Sequence, residues 1–175
     1  GGFSTKQASV AYYNSPYIEY VISAFMFISG INFTLLLFFV NRKFKKVFNN
    51  AELKWYFWSV VCFTGLIAVV LYYTSPMGTE EAFRKSLFQV ISLQTSTGFA
   101  TDDYMLWTPV LWGLLTIVMM MGACAGSTTG GLKCIRLVIL AKVSQNEFKH
   151  ILHPNAVLPV RINKQVISPS IISTV

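Results

Sequence analysis

Leu93-Gln94-Thr95-Ser96-Thr97-Gly98-Phe99-Ala100-Thr101 decides the fold of this chain. The stretch lies between segments apolar enough for lipid, yet it is a run of small hydroxyl residues with one glycine. Irregular backbone at membrane depth cannot face hydrocarbon, where nothing satisfies its carbonyls, so it persists only when buried in protein or lining a wet pore. The chain also opens with Gly2-Phe3-Ser4-Thr5, and Gly98-Phe99-Ala100-Thr101 repeats that signature. Each copy precedes a short polar stretch, a proline (Pro16 and Pro109) and a long apolar run. Repeated membrane units commonly place their binding site at the repeat interface.

Working outward, residues 79–94 lead into the hydroxyl run. Thr79 is the expected N-cap, with Glu80 and Glu81 in the first turn, where the helix dipole favours acids. About four turns is too short to span a bilayer, which makes this a re-entrant helix. Its negative C-terminal end then points at the membrane interior beside Thr95, Ser96, Thr97, Gly98 and Phe99, where a cation is favoured. Residues 17–40 form an apolar run long enough for one span, with Tyr17 and Tyr20 at its outer end. Asn32 lies mid-span and is expected to hydrogen-bond between helices. Residues 54–73 return outward, with an inner aromatic belt of Trp55, Tyr56 and Trp58 and an outer one of Tyr72 and Tyr73, and Ser75-Pro76-Met77-Gly78 ends them. Residues 106–125 cross inward again. Gly122, Gly126, Gly130 and Gly131, with Ser127, Thr128 and Thr129, then interrupt the apolar pattern, which resumes over 132–141 and ends at Lys142. That is the pattern of a discontinuous helix. From Ser144 onward the chain reads as cytoplasmic. His153-Pro154 stops the helix, and 157–162 with 166–167 suggest a small hairpin around Asn163-Lys164.

The composition fits lipid: 54% hydrophobic and 12% charged residues, against about 25% charged in soluble domains. The net charge of +7 reflects topology and excludes nucleic acid as the partner. Arg42, Lys43, Lys45, Lys46 and Lys54 crowd one loop, and Lys133, Arg136, Lys142 and Lys149 follow the last span; alternating spans put both clusters on the cytoplasmic side. The opposite side carries Glu80, Glu81, Asp102 and Asp103, with Arg84 and Lys85. Cys62, Cys124 and Cys134 offer neither metal spacing nor a disulfide framework, and the first two read as buried small hydrophobes. Gly1 already lies inside a motif and Ser173-Thr174-Val175 carries no stop logic, so a piece of a longer protein is expected.

A carbonyl-lined filter needs backbone that is neither helix nor sheet. Gly98 permits the unusual angles, Thr95, Ser96 and Thr97 add hydroxyls without bulk, and Phe99 is expected to anchor the loop from behind. The competing reading is a polar extracellular loop. Gly126-Ser127-Thr128-Thr129-Gly130-Gly131-Leu132-Lys133 superficially resembles a phosphate loop. However, its lysine does not directly follow the last glycine, Cys134 stands where Ser or Thr should bind magnesium, and no strand precedes it. A small-residue packing patch competes with an unwound loop that crosses beneath the filter and obstructs it; the glycine density favours the obstruction. Asp102 and Asp103 fit an outer vestibule that concentrates cations better than a catalytic pair. His150 and His153 lack the further ligands a metal site needs.

Thr97-Gly98-Phe99-Ala100-Thr101, the run from Gly122 through Lys133 to Arg136, and His153-Pro154-Asn155-Ala156-Val157 together resemble the Trk/Ktr/HKT superfamily of potassium transport proteins. The last two motifs are most similar to its bacterial Trk membrane subunits (TrkH), and the resemblance covers essentially the whole chain. It implies an all-α polytopic membrane fold, with four repeats of outer helix, re-entrant pore helix, filter strand and inner helix around one pore. Residues 1–50 would be the end of the second filter repeat, its inner helix and a cytoplasmic linker. Residues 51–143 would be the third repeat with its broken inner helix, and 144–175 a cytoplasmic segment. Gly1, Gly2, Phe3 and Ser4 would end the second filter, and Thr95 to Phe99 would form the third. Potassium would sit at Thr97, Gly98, Gly2 and Phe3. Gly122, Gly126, Ser127, Thr128, Thr129, Gly130, Gly131 and Lys133 would belong to the gating loop. The resemblance further implies a homodimer in the inner cell membrane, a multi-pass chain in contact with the lipid bilayer. It also implies a cytosolic nucleotide-binding ring subunit (TrkA-like) and no organic cofactor. The first and fourth repeats are absent, including the fourth-repeat arginine that faces the gating loop in relatives. Each filter strand has a single glycine, which suggests looser selectivity over sodium than in tetrameric potassium channels.

The expected function is therefore potassium uptake, not enzymatic catalysis: passive flow through the filter, gated by the glycine-rich loop. The alternative is a proton- or sodium-coupled carrier that binds at the broken helix. Such a carrier usually needs an intramembrane carboxylate. Glu19, Glu80 and Glu81 lie near segment ends.

Overall fold

The computed structural model describes residues 6, 8–152, 161–162 and 165–166, with the side chains of 147 and of 150 onward outside the description. A 3-10 turn at Ser9–Tyr13 precedes α1 (Pro16–Ser29), α2 (Phe33–Val40), α3 (Phe44–Phe48), α4 (Ala51–Thr74), α5 (Thr79–Gln94), α6 (Pro109–Met120) and α7 (Cys134–Leu152). The architecture is helical, as expected, apart from a two-residue hairpin, β1 (Arg161–Ile162) against β2 (Gln165–Val166). That hairpin is where the sequence suggested one, with shorter strands.

Asn50 starts α4 by accepting hydrogen bonds from the N–H groups of Glu52 (2.9 Å) and Leu53 (3.2 Å), which satisfies two donors the first turn cannot satisfy itself. Its 24 residues reach about 36 Å, enough to cross a bilayer core. Among the described residues it is the one single helix long and apolar enough to do so. Only 28% of its most apolar window is buried, and Phe57, Trp58, Val61 and Val69 form an exposed apolar flank suited to lipid or further protein.

Residues 17–40 are not one straight span. They form α1 and α2, bent by 104° at Gly30–Asn32. Asn32 is extended, and its side-chain oxygen accepts from Thr34 N–H at 2.9 Å, so it caps a new helix instead of continuing the old one. Gly30 allows the bend to pack tightly, since a Cβ there would lie 2.4 Å from the Tyr56 hydroxyl oxygen and 3.1 Å from Ala123 Cβ.

The short helix α5 is the centre of the fold and packs against α4, α1 and α6. Ala82, Ser86, Phe88, Gln89, Val90, Ile91, Ser92 and Gln94 are all buried, far more than an exposed surface helix would show. Its N-cap is Gly78; Thr79 is the first helical residue and makes no cap, while Glu80 and Glu81 do occupy the first turn. Pro109 opens α6 at a position where a missing N–H costs nothing. The expected span over 106–125 is cut to twelve residues, because 121–124 turn extended to pair with 132–134. The helix resumes at Cys134 and continues past Lys142 and Ser144 to Leu152, since no glycine or proline interrupts that stretch.

Candidate functional site

The hydroxyl run follows directly from α5 and folds back onto it. Thr95 N–H donates to Ile91 O (2.9 Å), Ser96 N–H to Leu93 O (3.0 Å), and the N–H groups of Thr97 and Gly98 both to Ser92 O (2.9 and 3.4 Å). Ser96 and Gly98 take left-handed backbone (φ 55° and 79°), which glycine adopts freely and serine rarely. The hydroxyls lock this shape: Ser92 donates to Phe99 O (2.6 Å), Thr95 to Ile91 O (2.7 Å), and the Thr95 and Thr97 hydroxyl oxygens are 2.8 Å apart. Phe99 packs against the main core, the anchoring role its position suggested. Every N–H from Thr95 to Gly98 is thus engaged. Among the described residues, no hydrogen bond reaches the carbonyl oxygens of these same four residues. Backbone acceptors at membrane depth are not left idle without a ligand or water to take them.

Gly1, Gly2, Phe3 and Ser4 lie outside the described residues. The segment after them docks on the second copy: Val10 and Ala11 N–H both donate to Ala100 O (3.1 and 3.3 Å), and Ser9 Oγ accepts from Ala100 N–H (3.3 Å).

Beneath the hydroxyl run, the broken helix forms a neck. Gly122 N–H donates to Leu132 O (2.9 Å), Leu132 N–H to Met120 O (3.1 Å) and Cys134 N–H to Ala123 O (3.1 Å). A Cβ on Gly122 would come within 2.3 Å of Gly130 O, so the two strands of the neck cross where only glycine fits. Between them the loop approaches the hydroxyl run: a Cβ on Gly130 would sit 3.3 Å from Ser96 Oγ. Gly126 and Gly131 take positive φ (74° and 76°) at the loop's two ends. Ser127 Oγ donates to Cys124 O (2.6 Å) and lies 2.7 Å from the Thr129 hydroxyl, while Lys133 Nζ donates to Thr129 O. Gly122 and Gly131 meet backbone, while Gly126 and Gly130 meet the side chains of Asn32 and Ser96.

Loop and hydroxyl run share one cavity of about 400 Å³. Thr95, Ser96, Thr97 and Phe99 line it from one side, Ile22, Phe25 and Ser29 of α1 from another, and Thr128 faces them. Asn32, at the bend between α1 and α2, is in contact with Gly126, and Phe33 N–H donates to Gly126 O (3.4 Å). The Asn32 amide caps its own helix through Thr34 N–H and, among the described residues, makes no side-chain hydrogen bond between helices, where the sequence suggested one.

The whole chain, residues 1–175, matches the family described as TrkH, cation transport protein. The chain belongs to that family. It is 35% identical over its full length to the Trk system potassium uptake protein TrkH of Salmonella typhimurium, and 34% identical over 94% of its length to that of Halomonas elongata. The crystal structure of the potassium transporter TrkH from Vibrio parahaemolyticus superposes with a TM-score of 0.91 over 99% of this chain, at 31% identity. The chain spans only 37%, 34% and 38% of those proteins' lengths.

Two features of this TrkH-family chain escaped the sequence reading. At the outer end, Arg84 of α5 pairs with buried Glu19 of α1 and with Glu80, whose carboxylate also accepts from the Tyr20 hydroxyl (3.1 Å). Lys85 pairs with Glu81 (2.9 Å) and Asp102 (3.0 Å). Burial acts to lower the Lys85 pKa, but the hydrogen bonds its ammonium donates to Glu81 and Asp102 outweigh it and the pKa is raised. Asp103 caps the turn Tyr104–Leu106 by accepting from Met105 N–H (3.1 Å). Asp102 and Asp103, the acids the sequence assigned to a charged vestibule, are thus held in an ion pair and a cap. The second feature is Glu52, 6% exposed, whose carboxylate accepts from Ala125 N–H at the foot of the glycine loop. The one cue for either was an acidic residue inside an apolar segment.

Proposed function

We propose that this chain is part of the conducting body of a potassium uptake protein of the Trk type, a multi-pass protein of the inner cell membrane. Thr95, Ser96, Thr97, Gly98 and Phe99 form one strand of its selectivity filter, and Gly2 and Phe3 supply oxygens of a neighbouring strand. The observation that carries the reading is the row of four unpartnered carbonyls from Thr95 to Gly98 above a shared cavity. Such oxygens can replace the hydration shell of a cation that is passing through as cargo. The loop Gly122, Gly126, Ser127, Thr128, Thr129, Gly130 and Gly131, with Lys133 on its crown, forms the gate under that filter. Residues 1–50 carry the second repeat's end, 51–143 the third repeat and 144–175 the cytoplasmic part, with α7 running across the last boundary. Its similarity to potassium uptake proteins supports transport over enzymatic catalysis. A homodimer working with a cytosolic nucleotide-binding ring subunit (TrkA-like) completes the proposal, with no organic cofactor.

A coupled carrier is less well supported. The buried carboxylates Glu19 and Glu52 are bound to Arg84 and to Ala125 N–H, and neither lines the cavity.

The test is Gly98→Ser in the full-length protein, read as the potassium-to-sodium permeability ratio in reconstituted bilayers. A side chain at φ 79° strains the strand by about 1–3 kcal/mol, so potassium preference should fall or conduction fail. Normal flux at an unchanged ratio would remove the filter assignment.

A further inference from the structure

We infer that Glu52 is a positioning residue that holds the glycine loop in its closed place, an inference that rests on reading that loop as the gate. Glu52 lies in the first turn of α4, one residue into the helix, and its side chain is buried against the broken helix instead of facing the cytoplasm. Its Oε1 accepts from Ala125 N–H, between buried Cys124 and the left-handed Gly126 where the loop departs. Ala125 N–H has no other acceptor among the described residues. A charged acceptor makes a stronger bond than a neutral one, and here it closes on a segment otherwise free to swing about two glycines.

The loop's other end is held by the opposite charge. Lys133 donates to the carbonyl and lies 3.5 Å from the hydroxyl of Thr129, and it is within electrostatic range of Glu52. The carboxylate holds Ala125 N–H at the foot and the ammonium holds Thr129 O, so two opposite charges grip the loop at separate points. The loop also leans on the α1–α2 bend through Cys124 N–H to Gly30 O (3.1 Å), and Tyr56, one turn along α4 from Glu52, braces α1 just before that bend by donating to Phe27 O (3.2 Å). The start of α4 adjoins the basic helix α3, with Lys45 and Lys46 in its last turn. A push on that cytoplasmic segment therefore reaches the gate through one side chain.

The experiment uses the full-length protein in proteoliposomes without its cytosolic partner, normalised to folded protein. Three changes are compared: Glu52→Ala, Glu52→Gln and deletion of residues 127–130. Losing one charged hydrogen bond should shift the open–closed balance by on the order of tenfold, so Glu52→Ala should raise partner-independent flux by about that factor with potassium preference kept. Glu52→Gln keeps an acceptor oxygen without the charge and should fall between parent and Glu52→Ala; if Glu52→Ala does not fold, its smaller rise decides. Neither change should add to the flux of the deletion, because both act through the loop. A purely structural role would lower yield and flux together, and reduced or unchanged flux in folded Glu52→Gln and Glu52→Ala would overturn the inference. If the deletion opens the pore but the Glu52 variants do not, the inference alone falls. If the deletion leaves flux unaltered, the gate reading itself falls and Glu52 with it.

Discussion

The hydroxyl run and the glycine loop are both breaks in helices, close to each other at Ser96 and Gly130, yet they are secured differently. The hydroxyl run is tied to its own helix: its four N–H groups return to Ile91, Ser92 and Leu93, and its hydroxyls bond within the same turn. Outside it, the Arg84–Glu19 pair fastens that helix to α1. The glycine loop is tied to other segments, to Glu52 of α4 and to Gly30 and Phe33 beside the bend. A break bonded to itself keeps its shape when its neighbours move; a break bonded to neighbours moves with them. The first property suits selection of an ion and the second suits a gate.

The largest expected effect comes from breaking the outer fastening. Arg84→Ala leaves Glu19 buried without a partner, which costs about 3–5 kcal/mol when one member of a buried pair is removed. Thermal unfolding of the full-length protein should show that loss, and the potassium-to-sodium ratio should fall with it. A stability unchanged from the parent would mean that the filter owes nothing to this pair, and the contrast between the two breaks would weaken.

Next comes the neck. Gly122→Ala places a methyl against Gly130 O, an overpacking expected to cost about 1–3 kcal/mol. Partner-independent flux should rise while ion preference stays, because the lesion lies below the filter. Gly65→Ala is the matched control: its Cβ would enter open space, and it should change neither stability nor flux. Equal behaviour of the two glycines would refute the crossing as a built feature.

The smallest effect tests how far the loop holds itself. Ser127→Ala removes the hydroxyl bond to Cys124 O, worth about 0.5–1.5 kcal/mol. Flux without the cytosolic partner should rise by less than for Glu52→Ala. A larger rise would shift the hold on the gate from Glu52 to the loop's own hydroxyls.

Much of the site could be read from residues 93–101 and 122–133, because lipid forbids polar irregular backbone unless something uses it. The bend at Gly30–Asn32 could not be read, although both residues were visible. A glycine and an asparagine inside an apolar run also fit a straight helix with one polar contact. What bends the chain is the Tyr56 hydroxyl and Ala123 packed against Gly30. The lengths of α6 and α7 were misjudged for a related reason: hydropathy follows burial in lipid, while the helix ends where 121–124 find partners in 132–134.

The sequence by itself determined the class of molecule, the short helix over residues 79–94 and the two irregular segments. Those follow from hydropathy, helix length and charge, which act locally along the chain. Only the tertiary structure decided which groups hold the segments in place, namely Arg84 on Glu19, Glu52 on Ala125 and Gly122 against Gly130. These contacts join residues 8 to 73 positions apart, and the energy of a buried charge or a backbone crossing depends on what lies across the gap.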